Sequence, residues 1–324
     1  MPLEPPTFAD VVKARRILLP HVFRTPLRRH PVLDELVGAE VWVKHENFQI
    51  LGSFKVRGGV NLVAGLSRRE LDAGLITAST GNHGQAIAFA GKTFGARVVI
   101  VAPEGANPVK VEAMRGLGAD VILHGSVFEE CVDHGRALAA REGCRFVHAV
   151  DEPALIAGAG TYTLEIHEDL GDIDFIVVPL GGGSGACGAC IVSSVVSPST
   201  KVIAVQSEAA PAAYLSWKQK RLVTAEMKTE AEGLATRQGY ELPQSILRRL
   251  LHDFVLVSEE SIFAAIRHFV DRTHTLVEGA GAVALAGAIA ARSRLKGGRV
   301  VVVATGANVS PDHLRRAMGT SAGP

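Results

Sequence analysis

Aromatic side chains are scarce. They make up 5% of the 324 residues, with two Trp and three Tyr. That argues against a platform for stacking single-stranded nucleic acid. Net charge is nearly absent: 34 Lys and Arg against 33 Asp and Glu leave +1. No global field therefore holds the chain on nucleic acid or an anionic membrane. Cysteine is sparse as well. Cys131, Cys144, Cys187 and Cys190 are too few for a disulfide framework in a chain this long. Cys187 and Cys190 form a C-x-x-C, a spacing used in redox and zinc chemistry, but no second pair matches it. Small buried helix residues are the expected reading. The start, Met1-Pro-Leu-Glu-Pro-Pro6, lacks a basic region followed by an apolar run, so no signal peptide is expected. A long apolar run is missing too. Residues 175–200 carry no formal charge, yet Pro179, five glycines and several serines interrupt them. A spanning helix needs about 20 predominantly apolar residues. The expectation is a cytoplasmic protein with no nucleic-acid or membrane partner.

What is present fits an ordinary globular protein. Hydrophobic residues are 47% and charged residues 21%, which supports a sizeable core and excludes disorder as the main state. Length suggests about two domains of ~150 residues. Glycine is over-represented, at 34 residues, about 10% against an average of ~7%. Short Val- and Ile-rich runs alternate with helical patterns. Strands are expected at 39–46, 75–78, 97–102, 120–123, 145–147, 174–179, 201–206 and 299–304. Helices are expected at 53–65, 82–94, 107–117, 126–141, 152–170, 185–196, 259–273 and 279–292, with a short last one from Pro311. Continuous apolar strands alternating with helices point to an α/β class with open parallel sheets. In such folds ligands sit beyond the carboxyl ends of the strands. No repeat, low-complexity tract or linker is visible, and pattern alone places no domain boundary.

Four strand ends stand out. Leu180-Gly-Gly-Gly-Ser-Gly-Ala-Cys-Gly188 follows one strand and opens a helix. Its N–H groups at a helix N-terminus make a phosphate cradle. Gly183, Gly185 and Gly188 also satisfy G-x-G-x-x-G, with Glu208 twenty residues later, which keeps NAD as a rival. Ala78-Ser-Thr-Gly-Asn-His-Gly-Gln85 clusters polar side chains around two glycines and suits a carboxylate; a solvated turn capped by Ser79 or Asn82 is the plainer reading. In Leu51-Gly-Ser-Phe-Lys-Val-Arg-Gly58, Lys55 falls in the first turn of an expected helix, where the dipole lowers a lysine pKa. A neutral lysine is a base and a nucleophile toward aldehydes. A surface lysine is the alternative, and Lys44 is the competing candidate. Val303-Ala-Thr-Gly-Ala-Asn308 ends the last strand with the neutral hydroxyl of Thr305.

Together with Arg24-Thr-Pro-Leu27 and Val277-Glu-Gly-Ala280, these segments resemble the fold-type II pyridoxal-phosphate enzymes. The resemblance is nearest to the threonine/serine dehydratase and serine racemase family and runs across nearly the whole chain. It implies two open-sheet α/β domains, tryptophan synthase β-like, with pyridoxal 5'-phosphate between them. Residues 1–71 and 149–324 would form the large domain and 72–148 the small inserted one. The resemblance also implies site roles. Lys55 would bind the cofactor aldehyde and then act as catalytic base. Phe54, Asn82, Gly233, Glu278 and Thr305 would surround the ring, and Gly181, Gly182, Gly183, Ser184 and Gly185 would hold the phosphate. Ser79, Thr80, Gly81, Asn82 and His83 would hold the substrate carboxylate. The implied reaction removes water from a 3-hydroxy amino acid such as L-threonine or L-serine, giving a 2-oxo acid and ammonia. A homodimer is implied as well.

Some positions depart from the family pattern. Thr80 stands where resembling racemases carry a serine that serves the opposite face and many dehydratases carry alanine; it either retains that acid, as a second catalytic residue beside Lys55, or crowds the site, so racemase activity is the alternative function. A racemase-like divalent-metal site would use Glu208, the carbonyl near Ala212 and an acid where this chain has Tyr214, so no metal is expected. Arg237 either reaches a second anionic group on the substrate or is a solvated surface residue. An NAD-linked oxidoreductase, a further alternative, gives Lys55 no role. Sixteen residues follow Asn308 in this sequence, so the expectation is a catabolic lyase without the regulatory domain of some family members.

Overall fold

The computed structural model describes residues 3–319. Met1 and Pro2 of the opening stretch, and residues 320–324 of the tail after Asn308, lie outside the described residues. The ten strands are β1 Leu27–Arg29, β2 Glu40–Lys44, β3 Leu75–Ala78, β4 Val98–Ala102, β5 Asp120–Leu123, β6 Arg145–Val147, β7 Phe175–Pro179, β8 Lys201–Ser207, β9 Asp253–Val257 and β10 Arg299–Val303. They form a six-stranded sheet in the order β1-β2-β10-β7-β8-β9 and a four-stranded sheet in the order β5-β4-β3-β6. Every pairing is parallel except β1 with β2. The four-stranded sheet is one continuous stretch of chain, and both flanking stretches feed the larger sheet. The last strand, β10, inserts between β2 and β7 and brings the chain end beside its beginning.

The α/β class with two open parallel sheets thus follows from the sequence pattern for a physical reason. Strands such as Val98–Ala102 and Val300–Val303 are buried on both faces, as parallel strands covered by helices must be. The core splits accordingly into one apolar cluster on each face of each sheet. Some elements escape the pattern reading. β1 is a three-residue edge strand, Leu-Arg-Arg, with no apolar signature. Strand β9 and the helices Phe8–Leu18 and Glu241–Leu250 carry readable patterns that the sequence reading passes over; Leu242, Ile246 and Leu247 line the buried face of the last.

Several of the surplus glycines serve helix packing, not ligands. The helix Pro153–Asp169 crosses the helix Ser184–Val196 at Gly160 and Gly188. A Cβ on Gly188 would lie 2.6 Å from the Gly160 Cα and 3.1 Å from the Ile156 carbonyl oxygen. Backbone cannot yield as a flexible side chain does. Gly188→Ala is therefore expected to destabilise the fold by about 1–3 kcal/mol through overpacking. A thermal melt should show the loss as a midpoint several degrees lower, roughly 2–4 °C per kcal/mol.

Candidate active site

The exits of β3, β4, β7 and β10 face a cavity of about 570 Å³ between the two sheets. Phe54, Lys55, Ser79–His83, Gly181–Gly185, Gly233, Glu278 and Thr305 all line it. Every site residue expected from the sequence therefore reaches one cavity, although the four segments are spread over more than 250 positions.

Lys55 is the first residue of the helix Lys55–Ala64. Two devices hold it there. On the carboxyl side of β10, the Phe54 N–H donates to the Thr305 carbonyl (3.1 Å) and Ser53 pairs with Gly306. Beneath the helix lies a buried ionic network. Arg57, 1% exposed, donates to Glu46 through Nε (2.8 Å) and Nη2 (2.9 Å), and to Glu165 through Nη1 (2.7 Å) and Nη2 (2.9 Å). Lys44 donates to Glu165 (2.6 Å) and to the Thr25 carbonyl (2.8 Å). Lys44, the competing lysine, is thus a structural cation, locked and out of reach.

The Lys55 ammonium points at the glycine loop, with Nζ 3.3 Å from Ser184 Oγ and 5.1 Å from the Phe54 ring centre. The protein packed around it pushes its pKa down to about 8, and Glu278 pushes back only in part. The loop runs into the helix Ser184–Val196. Gly183, its N-cap, has φ +106°, a left-handed conformation that favours glycine. The first turn of that helix leaves backbone N–H groups without intrahelical partners, a ready anion site.

A family model described as pyridoxal-phosphate dependent enzyme matches residues 18–306. This chain belongs to that family. It is 38% identical to an L-threonine ammonia-lyase of Thermotoga maritima, over 96% of this chain and 77% of the relative. It is 34% identical to an L-threo-3-hydroxyaspartate ammonia-lyase of Saccharomyces cerevisiae, over 94% of both chains. Among solved structures it resembles a serine racemase from Dictyostelium discoideum, with TM-score 0.88 and 31% identity over 94% of this chain and 99% of that one.

The residues present fit the cofactor. A lysine of lowered pKa lies within 3.3 Å of a side chain in the anion-binding loop, so one small molecule carrying an aldehyde and a phosphate meets both. The NAD reading does not fit. Gly188, third glycine of its fingerprint, is buried against Gly160, and Glu208 is exposed and outside the cavity lining. Cys187 and Cys190 are buried free thiols whose pKa burial raises, to about 12 for Cys190, as packing residues should be. No group of three or more His, Cys, Asp or Glu among the described residues is placed to hold a metal.

The 79–84 turn spends most of the polar side chains that the sequence clusters there on contacts within the protein. Ser79 Oγ accepts the N–H groups of Gly81 (3.1 Å) and Gly84 (2.9 Å), so that hydroxyl shapes the loop. His83 is buried with Nε2 3.0 Å from Thr77 Oγ1. Burial, helped by Lys55 and His148, drives its pKa down to about 3, so it offers no positive charge. Asn82 Nδ2 donates to Glu278 Oε1 (2.6 Å), and its Oδ1 accepts from Asn308 (2.7 Å). Thr80 alone of these side chains has no hydrogen-bond partner among the described residues. Thr305 is buried and donates to the Ala280 carbonyl (3.2 Å). Gly233 sits on the short turn Glu232–Leu234. Glu278 is buried; desolvation raises its pKa, against Lys110 and the Asn82 amide. Arg237 lines the cavity, exposed and without an ion-pair partner among the described residues. Sequence reading misses Lys110, which lines the same cavity from the helix Pro108–Gly116; one lysine in an amphipathic helix carries no distinguishing signal.

Proposed function

We propose that this chain is a pyridoxal-phosphate dependent ammonia-lyase that removes water from a 3-hydroxy amino acid such as L-threonine or L-serine, giving a 2-oxo acid and ammonia. The observation that carries this reading is the Lys55 amine, 3.3 Å from Ser184 in the glycine loop at one end of the cavity. Bound pyridoxal phosphate supplies an aldehyde for the substrate amine and a ring that takes up electrons as the Cα proton leaves. Lys55 accepts that proton. The Thr80, Asn82 and His83 backbone N–H groups, which Ser79 Oγ does not engage, and the Thr80 hydroxyl take the substrate carboxylate, and the loop 181–185 takes the cofactor phosphate. Thr305 and Glu278 line the cavity where the ring would sit, and Thr305 would bring no negative charge to it. Residues 72–148 act as the small body that closes over the rest and excludes water.

Purified protein loaded with cofactor is tested by borohydride trapping with peptide mapping, then by ammonia and 2-oxo acid release from a substrate panel. Trapping at a residue other than Lys55, or no release from any 3-hydroxy amino acid, overturns the reading. L-threo-3-hydroxyaspartate belongs in the panel because Arg237 is a cation on the cavity wall with no ion-pair partner among the described residues. A second reading, amino-acid racemase, is favoured by the uncommitted Thr80 hydroxyl; chiral analysis of recovered substrate separates the two. The support for a homodimer is the family resemblance together with the exposed Phe23, Phe48, Ile50 and Leu276, which come from segments bonded to one another through Gln49 and Asn47. The support for a cytoplasmic setting is four free thiols. No helix among the described residues is long and apolar enough to cross a membrane.

The Lys55 pKa carries a kinetic prediction. Only the neutral amine attacks an aldehyde, and burial brings neutrality within reach at a lower pH. Appearance of the visible band of lysine-bound cofactor, on mixing with cofactor-free protein, is expected to accelerate about tenfold per pH unit up to about pH 8 and then level off. An ordinary lysine would keep accelerating to about pH 10.4. Stopped-flow absorbance across this range distinguishes the two.

A further inference from the structure

We propose that Lys110 is a positioning residue, a latch cation that crosses between the two sheets and holds the Asn82 amide in the cleft through Glu278. Its helix, Pro108–Gly116, packs with the four-stranded sheet, yet its ammonium reaches the other side. Nζ lies 2.5 Å from Glu232 Oε2 and 3.9 Å from Glu278 Oε2. The lysine stem lies over Gly81, where a Cβ would come within 3.0 Å of the Lys110 Cδ. Glu278 then accepts from Asn82, and Asn82 from Asn308. The chain Glu232–Lys110–Glu278–Asn82–Asn308 alternates between the two sheets at every link. Lys110 and Asn82 belong to the four-stranded side, and the other three to the six-stranded side.

A surface pair would deserve little weight. Glu232 is more than one third exposed, and a lysine–glutamate pair of that kind contributes little by itself. Two facts change the balance. Lys110 is only 8% exposed, so its ammonium has lost most of its water and needs its carboxylates. Glu278 is equally buried, at 8%, and among the described residues its carboxylate is held by the Asn82 amide as its hydrogen-bond donor and Lys110 as its ion-pair partner. Opening the cleft strips both at once. Lys110 has no part in the proton transfer assigned to Lys55. Its effect passes through Glu278 to the orientation of Asn82, and through its stem to the 79–84 turn.

The test uses Lys110→Met, Lys110→Arg, Glu232→Gln and the double variant Lys110→Met with Glu232→Gln. Hydrogen exchange is followed in cofactor-free protein at the amides of Gly81 and Gly84, which bond Ser79 Oγ. Lys110→Met is expected to speed exchange there by about tenfold or more, and Lys110→Arg to stay within about threefold of the native protein. The double variant should exchange no faster than Lys110→Met, because both changes break one latch. In the loaded enzyme, Lys110→Met should raise KM for the 3-hydroxy amino acid more than it lowers kcat. Unchanged exchange in Lys110→Met, or effects that multiply in the double variant, overturns the proposal. If Lys110→Met does not fold, Glu232→Gln and Lys110→Arg decide it: the first must loosen the turn and the second must not. Only the KM readout rests on the ammonia-lyase reading. Faster exchange with no turnover of any 3-hydroxy amino acid would sink that reading and leave the latch standing.

Discussion

Lys55→Ala is expected to abolish the visible cofactor band and to lower ammonia release from L-threonine by about 10²–10⁴-fold or more, the range for losing a positioned proton-transfer group alone. No neighbouring lysine can substitute. Lys44 is sealed under the helix with Glu165 and the Thr25 carbonyl, and Lys110 is tied to Glu232. The fold should survive the change. Among the described residues the Lys55 ammonium makes one hydrogen bond, the 3.3 Å contact with Ser184, and burial disfavours that ammonium, pushing its pKa down to about 8. The melting temperature is therefore expected to hold or rise while activity collapses. Turnover within tenfold of the native enzyme, without added amine, would show that another group does the chemistry. A lowered melting temperature would instead mark Lys55 as a structural residue.

Arg57→Met is expected to do the reverse, removing stability first. Arg57 makes four short contacts to two buried carboxylates and a fifth to Thr161 Oγ1 at 3.1 Å. Burial pushes the Glu46 carboxyl up, but Arg57, Lys44 and Thr25 outweigh it and keep Glu46 below its ordinary value. Without the guanidinium, Glu46 retains, among the described residues, the Thr25 hydroxyl as its one side-chain hydrogen-bond donor. Breaking a buried pair from one side costs about 3–5 kcal/mol, because a charge is left uncompensated. For a chain of this size that corresponds to a midpoint lower by on the order of 10 °C in a thermal melt. Arg57→Lys should fall between the two, since an ammonium keeps the charge but cannot form both bidentate pairs. A melt for Arg57→Met within 2 °C of the native protein would mean that the network is energetically idle. Because Arg57 follows Lys55 by two residues in the same first turn, loss of activity should accompany any loosening.

How far the sequence could be read depended on the kind of signal. The parallel sheets were legible because a strand buried on both faces has to be apolar throughout, and Val98–Ala102 and Val300–Val303 say so locally. The glycine loop was legible because no other residue allows a backbone to serve as a dense anion cradle at a helix start. Lys55 was legible only with the loop, since each explains the other. The short edge strand β1 was not, because three residues with two arginines look like a loop until β2 pairs with them.

The residues themselves determined the fold class, the two glycine-containing turns at strand ends and the lysine at a helix start, since composition and spacing act within a few residues. Tertiary structure alone decided which polar groups remain free. Ser79, Asn82 and His83 look like ligand donors in a row, yet packing commits them to Gly81 and Gly84, to Glu278 and Asn308, and to Thr77. It also decided that Lys44 is structural, that Gly188 serves a helix crossing and that Lys110 spans the cleft. Each of those outcomes depends on partners between 28 and 226 positions away in the chain: Gly160 for Gly188, Glu165 for Lys44, Glu278 and Asn308 for Asn82, and Glu232 for Lys110. Burial and hydrogen-bond demand are properties of the assembled neighbourhood, and no local pattern encodes them.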